Sequence, residues 1–562
     1  MPDAFDDVVA QFLRELFEEE PVGASFYGLT EWDGRLPDVS ADGFVRREGA
    51  ARRWLERFSG CTPSELAPDQ QVDLALLEAH LGQQVATAGF AHWRRYPTTY
   101  LENGVFELFI HGTRDESTAA AAAVERLAQV PDALRCGREN LDPTLVDAEL
   151  LRQWAIPNVA AQASFMREGL AAFVSDPQRR EQLERAGAVA ASAYDHFGEF
   201  LGDLADRATG SFVFGEAHYD AVLQVGEGFA FGARTLREMG REQVESLTAR
   251  MAALAEGIGG TSDWRAVVDR LRDDHPATME ELLRCYRDET ERARSFVRAN
   301  GIMSIPEGED CAVEPAPLFL RAAAPVASYF PPPSFGRRAR GTFNVPFTPD
   351  DASPEEREAR LRSNSYFEIP GVTAHEAYPG HHLHYAASQG TNALRQVLHS
   401  TYMVEGWGLY VENMMGEHGF YPTPEARLGQ LSMRLFRAGR IVVDTSLHLG
   451  EMGIDEATTF MAERCGFPVP TAHREVLRYC SYPTQASSYL TGALEIERMA
   501  RSWADAGKGS LAEFHDALTA SGKLPLGVAA RAIGLAPGRA GGPGSGGHRS
   551  KMDARTKDSA GQ

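Results

Sequence analysis

Apolar side chains recur about every 3.6 residues through most of the first 300 residues, which predicts a succession of amphipathic helices. The spacing is clearest over residues 5–17, 119–130, 179–207 and 243–256. Pro131 marks a predicted break between two of these helices, because proline cannot continue the hydrogen bonding of a helix interior. The pattern therefore predicts a mainly α fold.

Residues 301–353 interrupt this pattern with many prolines, which exclude a long helix. Within them, residues 341–347 alternate and include β-branched and aromatic side chains, so we expect a small β element near residues 340–348. A strand beside a catalytic helix would be able to bind a peptide backbone by edge pairing.

The helical pattern resumes after this segment and contains the residues with candidate chemistry. We predict four parts: a helical lobe over residues 1–300, a Pro-rich segment with a short strand over 301–353, a helical catalytic lobe over 354–536, and a disordered, Gly-rich, basic tail over 537–562.

Composition narrows the class of protein. The 562 residues are 43% hydrophobic, which is ample for a large core, and the net charge of -23 argues against a nucleic-acid partner. No apolar run reaches the roughly 18 residues of a membrane span, and the acidic N-terminus does not resemble a signal peptide. Six scattered cysteines are typical of reduced thiols. We expect a cytoplasmic protein with no membrane partner.

Candidate chemistry begins at residues 375–382, which read His-Glu-Ala-Tyr-Pro-Gly-His-His. In the HExxH motif two His four residues apart bind one Zn²⁺, and the Glu after the first His acts on the attacking water. Here Pro379 stands four residues after His375. Removing Pro379 and Gly380 from the sequence restores the motif, so the segment resembles a zinc-hydrolase helix with two inserted residues.

A regular helix cannot bring these histidines together. At about 1.5 Å per residue, His382 would lie roughly 10 Å along the axis from His375, and His381 would lie roughly 120° round the helix. Pro379 and Gly380 favour a kink or bulge that returns the second His toward His375. We therefore predict His381 as the second ligand, with His382 in reserve.

Glu405 is the candidate third ligand. It opens the segment Glu-Gly-Trp-Gly-Leu-Tyr-Val-Glu, which is typical of a helix start and follows His381 by enough residues for an antiparallel return. Glu412 lies seven residues later on the same face and is a candidate to support a ligand. The alternative is that Glu405 caps its helix and Glu412 is solvated.

Three motifs together carry a resemblance. The chain has HEAxPGHH, then EGWxLYxE, then Tyr-Pro-x-Gln-Ala-x-x-Tyr over residues 482–489. With the stretches at 341–346 and 444–448, it resembles a bacterial domain-of-unknown-function family over about residues 8–535. That family looks like a remote relative of thimet-oligopeptidase-type and helical carboxypeptidase-type zinc metallopeptidases, the gluzincins.

The resemblance implies a nearly all-helical, metallopeptidase-like fold around a deep channel, with two His and one Glu as ligands on adjacent helices. It gives Glu405 the place of the third ligand, Glu376 that of the general base, and Tyr482 and Tyr489 those of the channel tyrosines. The Pro-Gly insert is typical of the family but foreign to the peptidases.

The residues alone leave several roles open. Tyr482 and Tyr489 share a face if their segment is helical, and would either donate to a developing oxyanion or pack in the core. Asp444 and His448, four apart, are either support for a zinc ligand or a buried structural pair. Arg478 is a candidate for binding a substrate carboxylate, and its alternative is pairing with a nearby glutamate.

Our leading hypothesis is a zinc-dependent hydrolase of peptide or related amide bonds, with Zn²⁺ held by His375, His381 and Glu405 and with Glu376 as general base. One alternative is a metal-dependent enzyme acting on a small non-peptide metabolite. The other is a catalytically inactive helical binding protein. Metal analysis separates the last from the first two.

Overall fold

A computed structural model describes residues 4–110, 114–321, 326–335 and 340–536 of the chain. The predicted disordered tail over 537–562 lies outside the described residues. About 70% of the structure is helix, which confirms the mainly α prediction. Among the described residues, no helix is long and apolar enough to cross a membrane. All six cysteines are free thiols, as their spacing predicts.

The helices of the first 300 residues vary in length from 3 to 29 residues. In chain order they are α1 Phe5–Glu19, α2 Pro21–Phe26, α3 Ala41–Ser59, α4 Pro68–Thr87, α5 Glu107–Ile110, α6 Glu116–Asn140, α7 Ala148–Leu150, α8 Ile156–Ser164, α9 Pro177–Ala205, α10 Glu216–Asp220, α11 Ala233–Gly259, α12 Trp264–Leu271 and α13 Met279–Ala299. The predicted break at Pro131 is wrong, because this proline lies inside α6. Buried side chains on both sides of it, Val130 and Leu134, hold the helix in one piece against α9.

The helices after the Pro-rich segment carry all the candidate site residues. In chain order they are α14 Pro354–Arg362, α15 Ile369–Glu376, α16 His381–Ser388, α17 Ala393–Val397, α18 Thr401–Glu417, α19 Pro424–His448, α20 Ile454–Cys465, α21 Val469–Ser481, α22 Gln485–Asp505, α23 Leu511–Ala520 and α24 Leu526–Ala532. α19 is buried along almost its whole length and packs against α11, α18 and α22, so it forms the axis of this half.

The predicted strand is present as β3, Arg340–Val345. Within the described residues it is the middle strand of a three-stranded sheet, with β1, Asp310–Pro315, parallel on one side and β2, Ser328–Phe330, antiparallel on the other. Both edges of β3 are therefore paired, and edge pairing of a peptide with this strand is excluded.

The hydrophobic core has two parts. The larger contains buried side chains from Phe5 to Leu535 and so draws on residues both before and after position 300. The smaller is formed wholly between Phe44 and Ala205. The larger core therefore extends across position 300, and residues 44–205 contain a second core of their own.

Candidate metal centre

The Pro-Gly insert breaks the motif helix in two, as its sequence predicts. α15 ends at Glu376 and α16 begins at His381, and the Tyr378–Pro379 peptide bond between them is cis. The indole of Trp407, a fully buried residue of α18, donates from Nε1 to the carbonyl oxygen of Pro379 at 2.9 Å. The insert is thus a defined bulge, which α18 holds in place.

Gly380 is required for this close turn. A Cβ at this position would lie 1.8 Å from the carbonyl oxygen of His375 and 2.4 Å from that of Ala374, so every larger residue collides with the end of α15. The bulge returns the chain as expected, and the imidazole rings of His375 and His381 lie 4.6 Å apart between centroids.

Glu405 lies between these two histidines. Its Oε2 is 3.6 Å from Nε2 of His375 and 3.5 Å from Nε2 of His381. The alternative in which Glu405 caps its helix is wrong, because α18 begins at Thr401 and its cap is Ser400, whose side chain accepts from a backbone amide of the first turn. Glu405 lies in the second turn, with its carboxylate turned toward α15 and α16.

These spacings suit one tetrahedral metal ion. Two ligand atoms bonded to the same zinc at about 2.0–2.1 Å lie about 3.3–3.5 Å apart. The separations from Glu405 to His375 and His381 are close to this value. Glu376 also offers a carboxylate oxygen within 4.8 Å of both histidines. Glu376 is thus a second carboxylate of the cluster, and Glu405, with one oxygen 3.5 and 3.6 Å from the two imidazole nitrogens, is the candidate third ligand.

Glu412 orients the first histidine. Nδ1 of His375 donates to Oε1 of Glu412 at 2.8 Å, and Glu412 is only 2% exposed, so the alternative of a solvated carboxylate is wrong. In the neutral ring that binds a metal, a proton fixed on Nδ1 leaves the lone pair of Nε2 directed at the cluster. A carboxylate behind a histidine in this manner is the arrangement that fixes ring tautomer and orientation at metal sites.

Burial and neighbouring charges shift the pKa values of three residues in the cluster. Burial favours the neutral imidazole of His375, but the carboxylates of Glu405 and Glu412 outweigh it and raise the pKa of His375 to about 10. Burial opposes ionisation of Glu405, yet the two histidines hold its pKa well below the usual range. Burial raises the pKa of Glu376, and the neighbouring histidines only partly offset this. These opposing shifts on adjacent acids and bases are typical of functional sites.

His382, the reserve ligand, points elsewhere. Its Nε2 lies 2.6 Å from Oε2 of Glu309 and its Nδ1 lies 3.1 Å from the hydroxyl of Tyr329, so both ring nitrogens are engaged. Glu309 precedes β1 and Tyr329 lies on β2, which makes His382 the link between α16 and the sheet. The structure thus brings His381, and not His382, to His375 and Glu405.

The two predicted tyrosines separate. α21 ends at Ser481 and α22 begins at Gln485, so Tyr482 and Tyr489 do not share a helix. Tyr482 is 41% exposed; partial burial and the charge of Glu102 raise the pKa of its phenol, and a hydrogen bond with Thr98 opposes this shift. Tyr489 lies near Glu405, whose charge adds to burial in raising the pKa of its phenol, and its hydroxyl bonds to no residue that the structure describes.

Tyr385 is a second tyrosine whose phenol the charge of Glu405 affects. It lies one turn after His381 on α16, and burial together with the charge of Glu405 raises the pKa of its phenol. The signal in the sequence is the spacing of four residues from His381, which places both side chains on one helical face.

Asp444 and His448 form a buried structural network. Asp444 Oδ2 accepts from the hydroxyl of Tyr219 at 2.5 Å, and His448 Nε2 lies 3.0 Å from the carbonyl oxygen of Tyr479. Neither residue contacts a histidine of the cluster in the described part of the chain. The structural alternative is therefore the one observed.

The comparisons agree with the three-motif resemblance at family level. Residues 21–533 match the family described as "Bacterial protein of unknown function (DUF885)". The chain belongs to this family. No curated protein matches this member of DUF885.

Two solved structures have the same fold as this DUF885 chain. One, from Shewanella oneidensis, is described as a "putative lipoprotein of unknown function"; it is 19% identical, and the match covers 94% of this chain and 99% of that one with a TM-score of 0.78. The other, a "putative lipoprotein" from Colwellia psychrerythraea, is 20% identical, with 94% and 98% covered and a TM-score of 0.78. At this identity the likeness concerns the fold alone.

Gly408 offers a direct test of the site of this family member. A Cβ at this α18 position would lie 2.6–2.9 Å from three atoms of the His375 ring. Gly408→Ala gains about 1 kcal/mol of helix propensity, but it pushes the ring off Glu412 and Glu405. We expect near-normal thermal stability and a loss of zinc affinity of about 10–100-fold, the scale of losing support behind a metal-binding histidine.

The matched control is Gly49→Ala. Gly49 lies inside α3 and a Cβ there would meet no atom within 4 Å. This variant should gain the same helix propensity and leave zinc affinity unchanged in a competition titration with a chelator. Equal zinc affinity in the two variants would contradict the proposed role of His375 as a metal ligand.

Proposed function

We propose that this cluster is the catalytic centre of a zinc-dependent hydrolase of peptide or related amide bonds, built on a helical, metallopeptidase-like fold with access through a channel. The observation that carries the proposal is the position of Glu405, whose carboxylate oxygen lies 3.5 and 3.6 Å from the facing nitrogens of His381 and His375. A second carboxylate, that of Glu376, lies within 4.8 Å of a nitrogen of each histidine.

In this proposal His375, His381 and Glu405 hold the metal, and Glu412 keeps the tautomer of His375. Zinc, when bound, polarises a carbonyl and lowers the pKa of a water molecule toward about 7. Three protein ligands are the set that catalytic zinc sites use, because such sites keep one position open for water or substrate.

Glu376 supplies the proton chemistry. It follows His375 directly, so on a helix its side chain points about 100° away from that ligand. From there its carboxylate takes the proton of the attacking water and passes it to the leaving amine nitrogen. The charge of Glu405 raises the pKa of the phenols of both Tyr489 and Tyr385, and a donor near this carboxylate would stabilise a developing oxyanion.

The alternatives stay as hypotheses. A small non-peptide amide would use the same groups, and a binding protein without activity has no need of Glu376 beside a metal ligand. The cytoplasmic location and the absence of nucleic-acid and membrane partners also remain predictions.

The test is a digest of a mixed peptide library by the purified protein, with its zinc content measured on the same sample. We expect one zinc per chain and cleavage products that disappear when a chelator removes the metal and return when zinc is added. A chain with full zinc that cleaves no peptide would favour the small-metabolite alternative. A chain that binds no zinc would refute the metal site itself.

A further inference from the structure

α19 presents three buried arginines at intervals of three residues. Nη2 of Arg434 bonds to Glu497 at 2.8 Å, and Nη2 of Arg440 bonds to Glu475 at 2.9 Å. Each of these guanidinium groups is therefore paired directly with a carboxylate. Arg437, between them, is not.

Arg437 has weak partners for a buried cation. It is only 9% exposed, and its hydrogen bonds within the described residues are from Nη1 to the carbonyl oxygen of Met433 at 3.4 Å and to its sulfur at 3.6 Å. Its Nε is buried and without a partner there. A buried polar group left unsatisfied is costly, and it points to a partner that the folded chain does not itself supply.

The charge of Arg437 acts on the candidate metal cluster. Burial lowers its pKa, while the charges of Glu412 and Glu405 oppose this shift, and Arg437 in turn acts on Glu376. Its guanidinium carbon lies 5.6 Å from the ring centroid of Tyr489. None of the three carboxylates accepts a hydrogen bond from it, in contrast to the partners of Arg434 and Arg440, so simple charge pairing does not account for its position.

We propose that Arg437 binds the free carboxylate of the substrate, on the leaving-group side of the scissile amide. This inference rests on the proposed function of the neighbouring cluster. A guanidinium presents N–H donors in a planar fork that matches the two oxygens of a carboxylate. The buried Nε of Arg437 has no partner among the described residues, and its guanidinium lies beside the tyrosine that we place near the scissile carbonyl.

The substrate class follows from this geometry. A carboxylate held beside the metal site belongs to the residue next to the scissile bond, as in a peptide cleaved at its C-terminal residue or an N-acyl amino acid. Substrates whose terminal carboxylate is converted to a carboxamide should bind poorly. Arg478, the arginine suggested by the sequence, is already bonded to Glu475 at 3.0 Å and to Gln485 at 2.7 Å.

The experiment compares a matched pair of probes that are not cleaved, N-methylsulfonyl-phenylalanine and its carboxamide, by calorimetry on the full zinc-loaded chain. We expect the acid to bind about 10–100-fold more tightly, the range for a hydrogen bond to a charged group. Arg437→Met should remove this preference and Arg437→Lys should restore part of it. Arg434→Met, on the same helix, should keep the preference of the natural protein.

Two results would overturn the inference: equal binding of acid and amide to the natural protein, or an unchanged preference in Arg437→Met. Cleavage of N-acetyl-phenylalanine and its carboxamide, followed in parallel, separates this inference from the proposed function. An acid preference that depends on Arg437, in a chain that cleaves neither these compounds nor any member of the peptide library, would support the binding site and contradict the hydrolase. Cleavage of both compounds at equal rates would support the hydrolase and contradict the binding site.

Discussion

Replacing His375 and Glu405 together by alanine is expected to abolish zinc binding. The two substitutions remove ligands from α15 and α18 and leave His381 as the one remaining member of the proposed set. A single imidazole does not retain a zinc ion through dialysis, because catalytic sites rely on three protein ligands. Metal analysis of the dialysed variant should give the same value as the chelator-treated natural protein. Undiminished zinc content would refute the assignment.

The second histidine has a built-in control in its neighbour. His381→Ala should lose zinc because Nε2 of His381 faces Glu405 at 3.5 Å. His382→Ala should keep it, since that ring bonds to Glu309 and Tyr329 instead. Retention of zinc by His381→Ala and its loss from His382→Ala would reverse our choice between the two.

Glu376→Gln is expected to keep its zinc and to lose turnover by about 100-fold or more, the usual scale for removing a general base. The amide has the shape of the carboxylate but cannot take a proton from the attacking water. Because the half-buried Glu376 lies beside two histidines, the variant also removes an ionisable carboxyl group from the cluster. Zinc content and turnover should therefore be measured on the same preparation.

Glu355→Gln serves as the control for this variant. It makes the same chemical change on the exposed first turn of α14 and should alter neither quantity. Full activity in Glu376→Gln would rule out the mechanism proposed here. Loss of zinc from it would instead make Glu376 a ligand and require the set to be redrawn around two carboxylates.

The local part of the site could be predicted from the sequence. Pro379 and Gly380 exclude a continuous helix, and short imidazoles have to meet if they are to share a metal, so a bulge that returns His381 follows from covalent geometry. The seven-residue spacing from Glu405 to Glu412 likewise predicts a shared helical face. The structure has both arrangements, together with a paired carboxylate behind His375.

The sequence does not predict that Tyr482 and Tyr489 lie in different places, because one residue between them turns the chain. Thr484, with φ of 70°, stands between α21 and α22 and turns the chain. Tyr482 is thereby directed outward while Tyr489 faces Glu405. The sequence predicts the strand at 340–345 but not its central position in the sheet. The partner strands over 310–315 and 328–330 have little alternation of their own.

The parts of the site that come from distant helices carry no local signal. Arg437 lies more than thirty residues after Glu405, on a helix whose direction is set by packing against α11 and α22. Its three-residue spacing from Arg434 and Arg440 indicates that the three arginines lie near one another on the helix. Which of the three has no carboxylate partner depends on the positions of Glu497 and Glu475. That information exists only in the folded chain.

α18 also limits how the length of this protein can change during evolution. Glu405, Trp407, Gly408 and Glu412 each meet α15, α16 or the bulge between them, and each does so from a fixed angle on one helix. One residue inserted between Gly408 and Glu412 would turn all later side chains by about 100° and remove the carboxylate from His375. Insertions and deletions that preserve the site must therefore fall outside this helix, for example at the exposed turn around Gly390, where added chain would meet only solvent.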